Sequence, residues 1–104
     1  MTFENVSAEA KANIYFEGKV VSHRITLADG STKTLGIMFS GDYNFGTEQA
    51  ERMEITDGEC TVIQKDSTES NSYKAGQHFD VPANSSFDIK IVSETCQYVC
   101  SYLD

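Results

Sequence analysis

Short apolar stretches alternate along this chain with turn-forming pairs such as Asp29-Gly30, Gly41-Asp42, Asp57-Gly58 and Ala75-Gly76. Gly and Asp at such points permit the tight reversals that regular backbone forbids. No segment holds a helical period long enough to build a helix around, so the rhythm favours an antiparallel sandwich or barrel over a parallel α/β sheet. Strands are expected over residues 14–27, 33–40, 42–47, 51–56, 60–65, 77–81, 87–92 and 97–103. The polar stretches 66–72 and 82–86 read as connections, and residues 7–12 as a helical turn or a loose arm. The expected organisation is an arm over residues 1–12 and one all-β domain over residues 13–104.

Alternation within these runs assigns faces, because side chains in a strand point to opposite sides with a period of two. Phe79 and Val81 go with Phe87, Ile89 and Ile91 toward an interior, and His78, Asp80, Asp88 and Lys90 fall opposite. Glu51 shares its face with Met53 and Ile55, so one carboxylate sits on an otherwise apolar inner surface.

The chain has 104 residues, enough for one hydrophobic core, and six Phe and five Tyr can help to fill it. No apolar run approaches the roughly 18 residues of a membrane span, and the first residues lack the basic and apolar regions of a secretory signal. A soluble protein of the cytoplasm, bound to no membrane, is expected. The formal charge of −8, from 16 acidic and 8 basic residues, opposes a nucleic-acid backbone. Nucleic acid is therefore not an expected partner. Cys60, Cys96 and Cys100 are odd in number and have no metal-type spacing, so they read as reduced core thiols.

Two spacings carry more specific information. Gly41, Glu51 and Gly58 reproduce the glycines and the Glu-to-Gly interval of the first cupin motif, G-x5-H-x-H-x3,4-E-x6-G, with a shortened middle in which Thr47 and Gln49 replace the histidines. Gly76 and Pro82 keep the Gly-to-Pro interval of the second motif, G-x5-P-x-G-x2-H-x3-N, with Phe87 where its histidine belongs. The pattern resembles a single cupin-type, jelly-roll-like β-barrel that has lost its metal ligands. A first-row metal held by such a barrel wants about three imidazoles and a carboxylate, and only Glu51 remains of that set. No metal site is expected, and His23 and His78 stand at neither ligand position.

A closer resemblance runs through YFEGKV at 15–20, GIMFSGDYNFGT at 36–47, ERM at 51–53, AGQHFDVP at 75–82 and YVCSYL at 98–103. In this order the segments are similar to the pyrimidine/purine nucleoside phosphorylase family of small cupin-fold proteins, over nearly the whole of residues 13–103. The resemblance implies a homodimeric cytoplasmic transferase of the pentosyl-transferring kind. It would cleave purine and pyrimidine nucleosides with inorganic phosphate to free base and α-D-ribose 1-phosphate, without a cofactor.

Such chemistry needs a phosphate site beside the anomeric carbon, a group that stabilises an oxocarbenium-like ribosyl centre, and a surface for the base. Glu51 is the candidate for the ribosyl centre, because a carboxylate there counters the developing positive charge, as in glycoside chemistry. Thr47 and Gln49 offer a hydroxyl and an amide to base or phosphate. Tyr43, Phe45, Phe79, Tyr98 and Tyr102 offer aromatic faces, while Met38 and Met53 offer adaptable thioethers that suit broad base tolerance. The phosphate donor stays open among Arg24, Lys33, Arg52, backbone N–H groups near Gly36 or Gly41, and an Arg from a second subunit. Two other classes stay open: a non-catalytic cupin that binds a sugar or nucleobase, and a metal-dependent dioxygenase or isomerase.

Overall fold

The computed structural model describes residues 1–103; Asp104, which the expected barrel includes, lies outside them. Nine strands form one antiparallel system: β1 (Ser7–Ala8), β2 (Asn13–Tyr15), β3 (Val20–Thr26), β4 (Thr32–Gly46), β5 (Ala50–Asp57), β6 (Glu59–Gln64), β7 (Ser70–Lys74), β8 (His78–Val81) and β9 (Ser86–Leu103). The only helical element among the described residues is a 3-10 turn, Phe16–Gly18. The all-β expectation holds.

Two strands, β4 and β9, run the length of the molecule and belong to both of its faces. The first half of β4 pairs with the last half of β9, from Lys33 opposite Ser101 to Phe39 opposite Thr95. Flanked by β3 on one side and by β5 and β8 on the other, this pair makes the first half-sheet. The second half of β4 pairs with the start of β9, from Gly41 opposite Ile91 to Gly46 opposite Ser86, and β6 and β7 extend it. The outer strands β1, β2, β7 and β8 do not pair with one another, so the barrel is open. It is a cupin-like β-sandwich.

The crease between the halves lies where the register shifts between Phe39 and Gly41, with Ser40 facing the three residues 92–94 of β9. Such irregularities bend a strand and reset which residues point inward. Met38 is buried before the crease and Tyr43 after it, so the inner phase of β4 passes from even to odd numbers. In β9 it passes from Phe87, Ile89 and Ile91 to Cys96, Tyr98 and Cys100. The Tyr43 hydroxyl donates to the Phe39 carbonyl at 2.7 Å, satisfying a backbone acceptor at the bend.

Three local readings are corrected. Ser7 and Ala8 are extended and pair with Thr26 and Ile25, so the helical-turn reading of residues 7–12 fails: with so few residues, sheet edge pairing outweighs helix propensity. The expected strand 14–27 is broken by Phe16–Gly18 into β2 and β3. The supposed connection 66–72 contains the start of β7, a polar edge strand whose anchor is Tyr73, its ring 4.9 Å from that of Phe79.

Candidate active site

Near one end of the sandwich the two half-sheets part to leave a cleft of about 780 Å³. This is within the range of small-molecule sites. Its walls differ in character. The first half-sheet contributes Ser22 and Arg24 from β3, Thr34 from β4, Glu51 and Met53 from β5, and Tyr98, Cys100 and Tyr102 from β9. Facing them, the second half-sheet contributes Phe45 and Phe87, with Phe16 from the turn before β3 packed on it, while Tyr15 of β2 belongs to the first wall.

Register explains the polar wall. Arg24 stands opposite Thr34, Thr34 opposite Cys100, and Cys100 opposite Met53, a single row across four strands. One level along, Ser22, Gly36, Tyr98 and Ile55 make a second row. Gly36 is required there: a Cβ would stand 2.3 Å from the Tyr98 ring, which lies across the glycine. Asn13 Nδ2 donates to Ser22 Oγ at 3.4 Å, which places that hydroxyl in the second row beside the Tyr98 ring. Burial pushes the Tyr98 phenol well above its ordinary pKa, so this hydroxyl stays protonated.

Glu51 is half-buried on this wall, where loss of solvent raises its pKa above the ordinary carboxylate range. The Cys100 thiol donates to Glu51 Oε1 at 3.0 Å and partly offsets that shift. The thiol itself is driven upward by burial and by the adjacent carboxylate, so it acts as a neutral donor and not as a thiolate nucleophile.

Of the residues read from the sequence, Thr47, Gln49, Glu51, Phe45, Met53, Tyr98 and Tyr102 line the cleft. Met38, Tyr43 and Phe79 do not; they pack in the core, because they fall on the closed side of the crease or beneath the outer strands. The Thr47 hydroxyl is already engaged, donating to the Pro82 carbonyl at 2.6 Å and accepting from the Ser85 N–H at 3.0 Å. It clasps β4 to the loop before β9 and has no proton left for a ligand. Gln49 sits at the rim, its amide donating to the Leu103 carbonyl at 3.4 Å.

The three open cations separate clearly. Lys33 Nζ donates to Ser101 Oγ at 2.6 Å away from the cleft, and Arg52 forms a two-point pair with Asp80 at 2.8 and 3.1 Å on the outer face. Arg24 alone of the three lines the cleft, its only ion pair among the described residues a loose contact of 3.8 Å with Glu9. Alternation along residues 20–27 hides this, because the apolar Val21, Ile25 and Leu27 set the odd phase as the inner one, whereas Arg24 shares the even phase of the buried Val20 and Ser22. Phe16, Thr34 and Cys100 also lay outside that reading; Cys100 shares the even phase of Tyr98 and Tyr102 and could have been found from it.

The positions that hold metal in other cupins carry Thr47, Gln49, Glu51 and Phe87 here, a donor set that does not fit a transition metal. Among the described residues no three His, Cys, Asp or Glu side chains converge on a point.

Comparison with known proteins agrees with this architecture. Solved structures of manganese-containing oxalate decarboxylase from Bacillus subtilis (TM-score 0.76, 13% identity, covering all of this chain and 30% of the other) share the fold alone. A protein of unknown function from Acinetobacter sp. ADP1 superposes with a TM-score of 0.95 at 43% identity over 98% of both chains. A pyrimidine/purine nucleoside phosphorylase from Cupriavidus metallidurans is 54% identical over 96% of both chains, and one from Herminiimonas arsenicoxydans is 52% identical over 97% of this chain and 96% of its own. The family model for pyrimidine/purine nucleoside phosphorylase matches residues 10–102, and the chain belongs to that family.

Proposed function

We propose that the cleft catalyses phosphorolysis of purine and pyrimidine nucleosides, a pentosyl transfer to inorganic phosphate. A phosphate oxygen bonds to the anomeric carbon as the glycosidic C–N bond breaks. The bonding pair leaves on the base nitrogen, which takes up the proton that the phosphate gives up. The products are free base and α-D-ribose 1-phosphate.

The observation that carries this reading is a polar wall with Arg24 and Glu51 near its two ends. Three inter-strand steps of roughly 4.8 Å separate the backbones of Arg24 and Met53, about 14 Å in all. An arginine side chain reaching across that span leaves room for a phosphate and a ribosyl ring before Glu51. In this reading Arg24 binds phosphate through its fork of N–H donors. Glu51, as carboxylate, stabilises the positive charge that grows on the ribosyl centre. Tyr98 and Ser22 contribute neutral hydroxyls to the floor. The facing wall is aromatic, which favours stacking without choosing between bases and supports broad specificity.

Further parts of the reading rest on the family. The protein acts in the cytoplasm, consistent with three unbridged cysteines, and works as a homodimer. A coupled assay of ribose 1-phosphate release from uridine, inosine and adenosine, with a phosphate-free control, tests the reading. Turnover in the control, or none with phosphate, would sink it. Arg24→Gln should raise KM for phosphate at least tenfold and leave KM for nucleoside within about threefold.

A further inference from the structure

The turn between β2 and β3, which brings Phe16 to the cleft, is the longest run of left-handed backbone among the described residues. Three successive residues, Phe16, Glu17 and Gly18, have positive φ values of 51°, 57° and 91°. Glycine accepts this region freely, but a bulky phenylalanine seldom does. The turn is held by the Lys19 N–H donating to the Phe16 carbonyl at 3.1 Å and by the Phe39 N–H donating to the Lys19 carbonyl at 2.9 Å.

That conformation aims the Phe16 ring back over the second half-sheet. It lies 4.9 Å from the Tyr43 ring and 5.4 Å, edge-on, from the Phe45 ring. Phe45 in turn stacks on Phe87 at 5.7 Å and 30°. The run Phe87, Phe45, Phe16 climbs from the buried core to the rim, and its last residue is still 42% exposed and lines the cleft. An aromatic side chain whose purpose was core filling would not be left so open by a strained turn. Opposite it stand the ionic and hydroxyl groups, so a bipolar ligand has one orientation in the cleft.

We infer that Phe16 is the stacking platform for the nucleobase, with the ribose and phosphate directed to the polar wall. This assignment rests on the proposed phosphorolysis and extends it to a residue and a subsite. Stacking on a ring that ends a ladder accepts any base, because each base presents a π face.

The chain contains no tryptophan, which supplies a direct test. In Phe16→Trp the new indole is the single such fluorophore, and saturating adenine or uracil should quench it while ribose 1-phosphate leaves it unchanged. Phe16→Leu keeps bulk and apolarity without the ring. It should raise KM for nucleosides roughly tenfold to a hundredfold, the span of ring–base stacking, with KM for phosphate within twofold of wild type. Phe16→Tyr should stay within threefold on both. Absence of quenching by bases in a variant that still turns over, or an unchanged nucleoside KM in Phe16→Leu, would overturn the platform and leave the phosphorolysis standing. Quenching by bases in a protein that releases no ribose 1-phosphate would overturn the phosphorolysis and leave a base-binding platform.

Discussion

Glu51 is asked to be charged where burial disfavours charge. Because its pKa in the folded protein lies above the unfolded value, the fold is penalised for ionising it. The penalty is absent below the ordinary carboxylate pKa and is complete once pH has risen through the raised value. Glu51→Gln should therefore melt at or above the wild-type temperature at pH 8 and show no gain near pH 4, in calorimetric scans at the two pH values. The same variant should lose about 10²–10³ in kcat with little change in KM, if the charge serves the ribosyl centre. Wild-type activity should fall on the acid side as pH drops through the raised pKa. Cys100→Ala removes the one thiol donor to the carboxylate and should move that acid limb to higher pH. Cys100→Ser, a stronger donor, should move it back or below, and kcat/KM profiles between pH 5 and 8 would show both. How far such residues were legible depends on what marks them. Glu51 was legible from an interval between glycines, whereas Thr47 was found at the right place and given the wrong task, since no spacing tells that Pro82 and Ser85 take up its hydroxyl. Arg24 was hidden because Val21, Ile25 and Leu27 make the odd phase of β3 look like the inner one, while its even neighbours Val20 and Ser22 are buried as well.

Among the elements, the apolar strands were visible wherever one face is buried and the other is not. The exceptions have two causes: an alternation that is reset without the chain leaving the sheet, and a strand too polar to show one. At the crease β4 and β9 each change phase, so each long strand reads as two shorter ones. β7 was missed because its exposed face and most of its covered face are polar, Tyr73 excepted. The turn from β5 to β6 shows the constraint in its hardest form. Gly58 has φ +86°, and a Cβ there would stand 2.2 Å from the Thr95 carbonyl oxygen, a backbone atom that cannot swing aside. Gly58→Ala should cost about 2–3 kcal/mol, combining the left-handed strain with the clash. Chemical denaturation with an unchanged m-value would register it as a loss of stability and not a change of fold. At Gly36 the obstacle is the Tyr98 ring, which can move. Gly36→Ala should cost less, about 1–2 kcal/mol, but should damage turnover by shifting Tyr98 out of the floor of the cleft.

For the molecule as a whole, the open barrel leaves edges at β1, β2, β7 and β8, and leaves Ile14, Phe39 and Val92 largely in solvent. Apolar side chains and strand edges of that kind are commonly covered by a second copy. Light scattering at micromolar concentration should accordingly give twice the 11.5 kDa of one chain, and a monomer mass would count against the homodimer. The strand that unites the two half-sheets also sets when they can exist. β9 pairs with β4, β5 and β6, and it begins only at Ser86. A chain growing on the ribosome can form the β3–β4, β6–β7 and β5–β8 pairs beforehand, but neither wall of the cleft has its central strand until residues 86–103 have emerged. Until then those pairs wait with their inner faces bare. The fold is thus completed from its middle, by the strand made last among the nine, and a slow, all-at-once closure is the folding behaviour such distant pairing dictates.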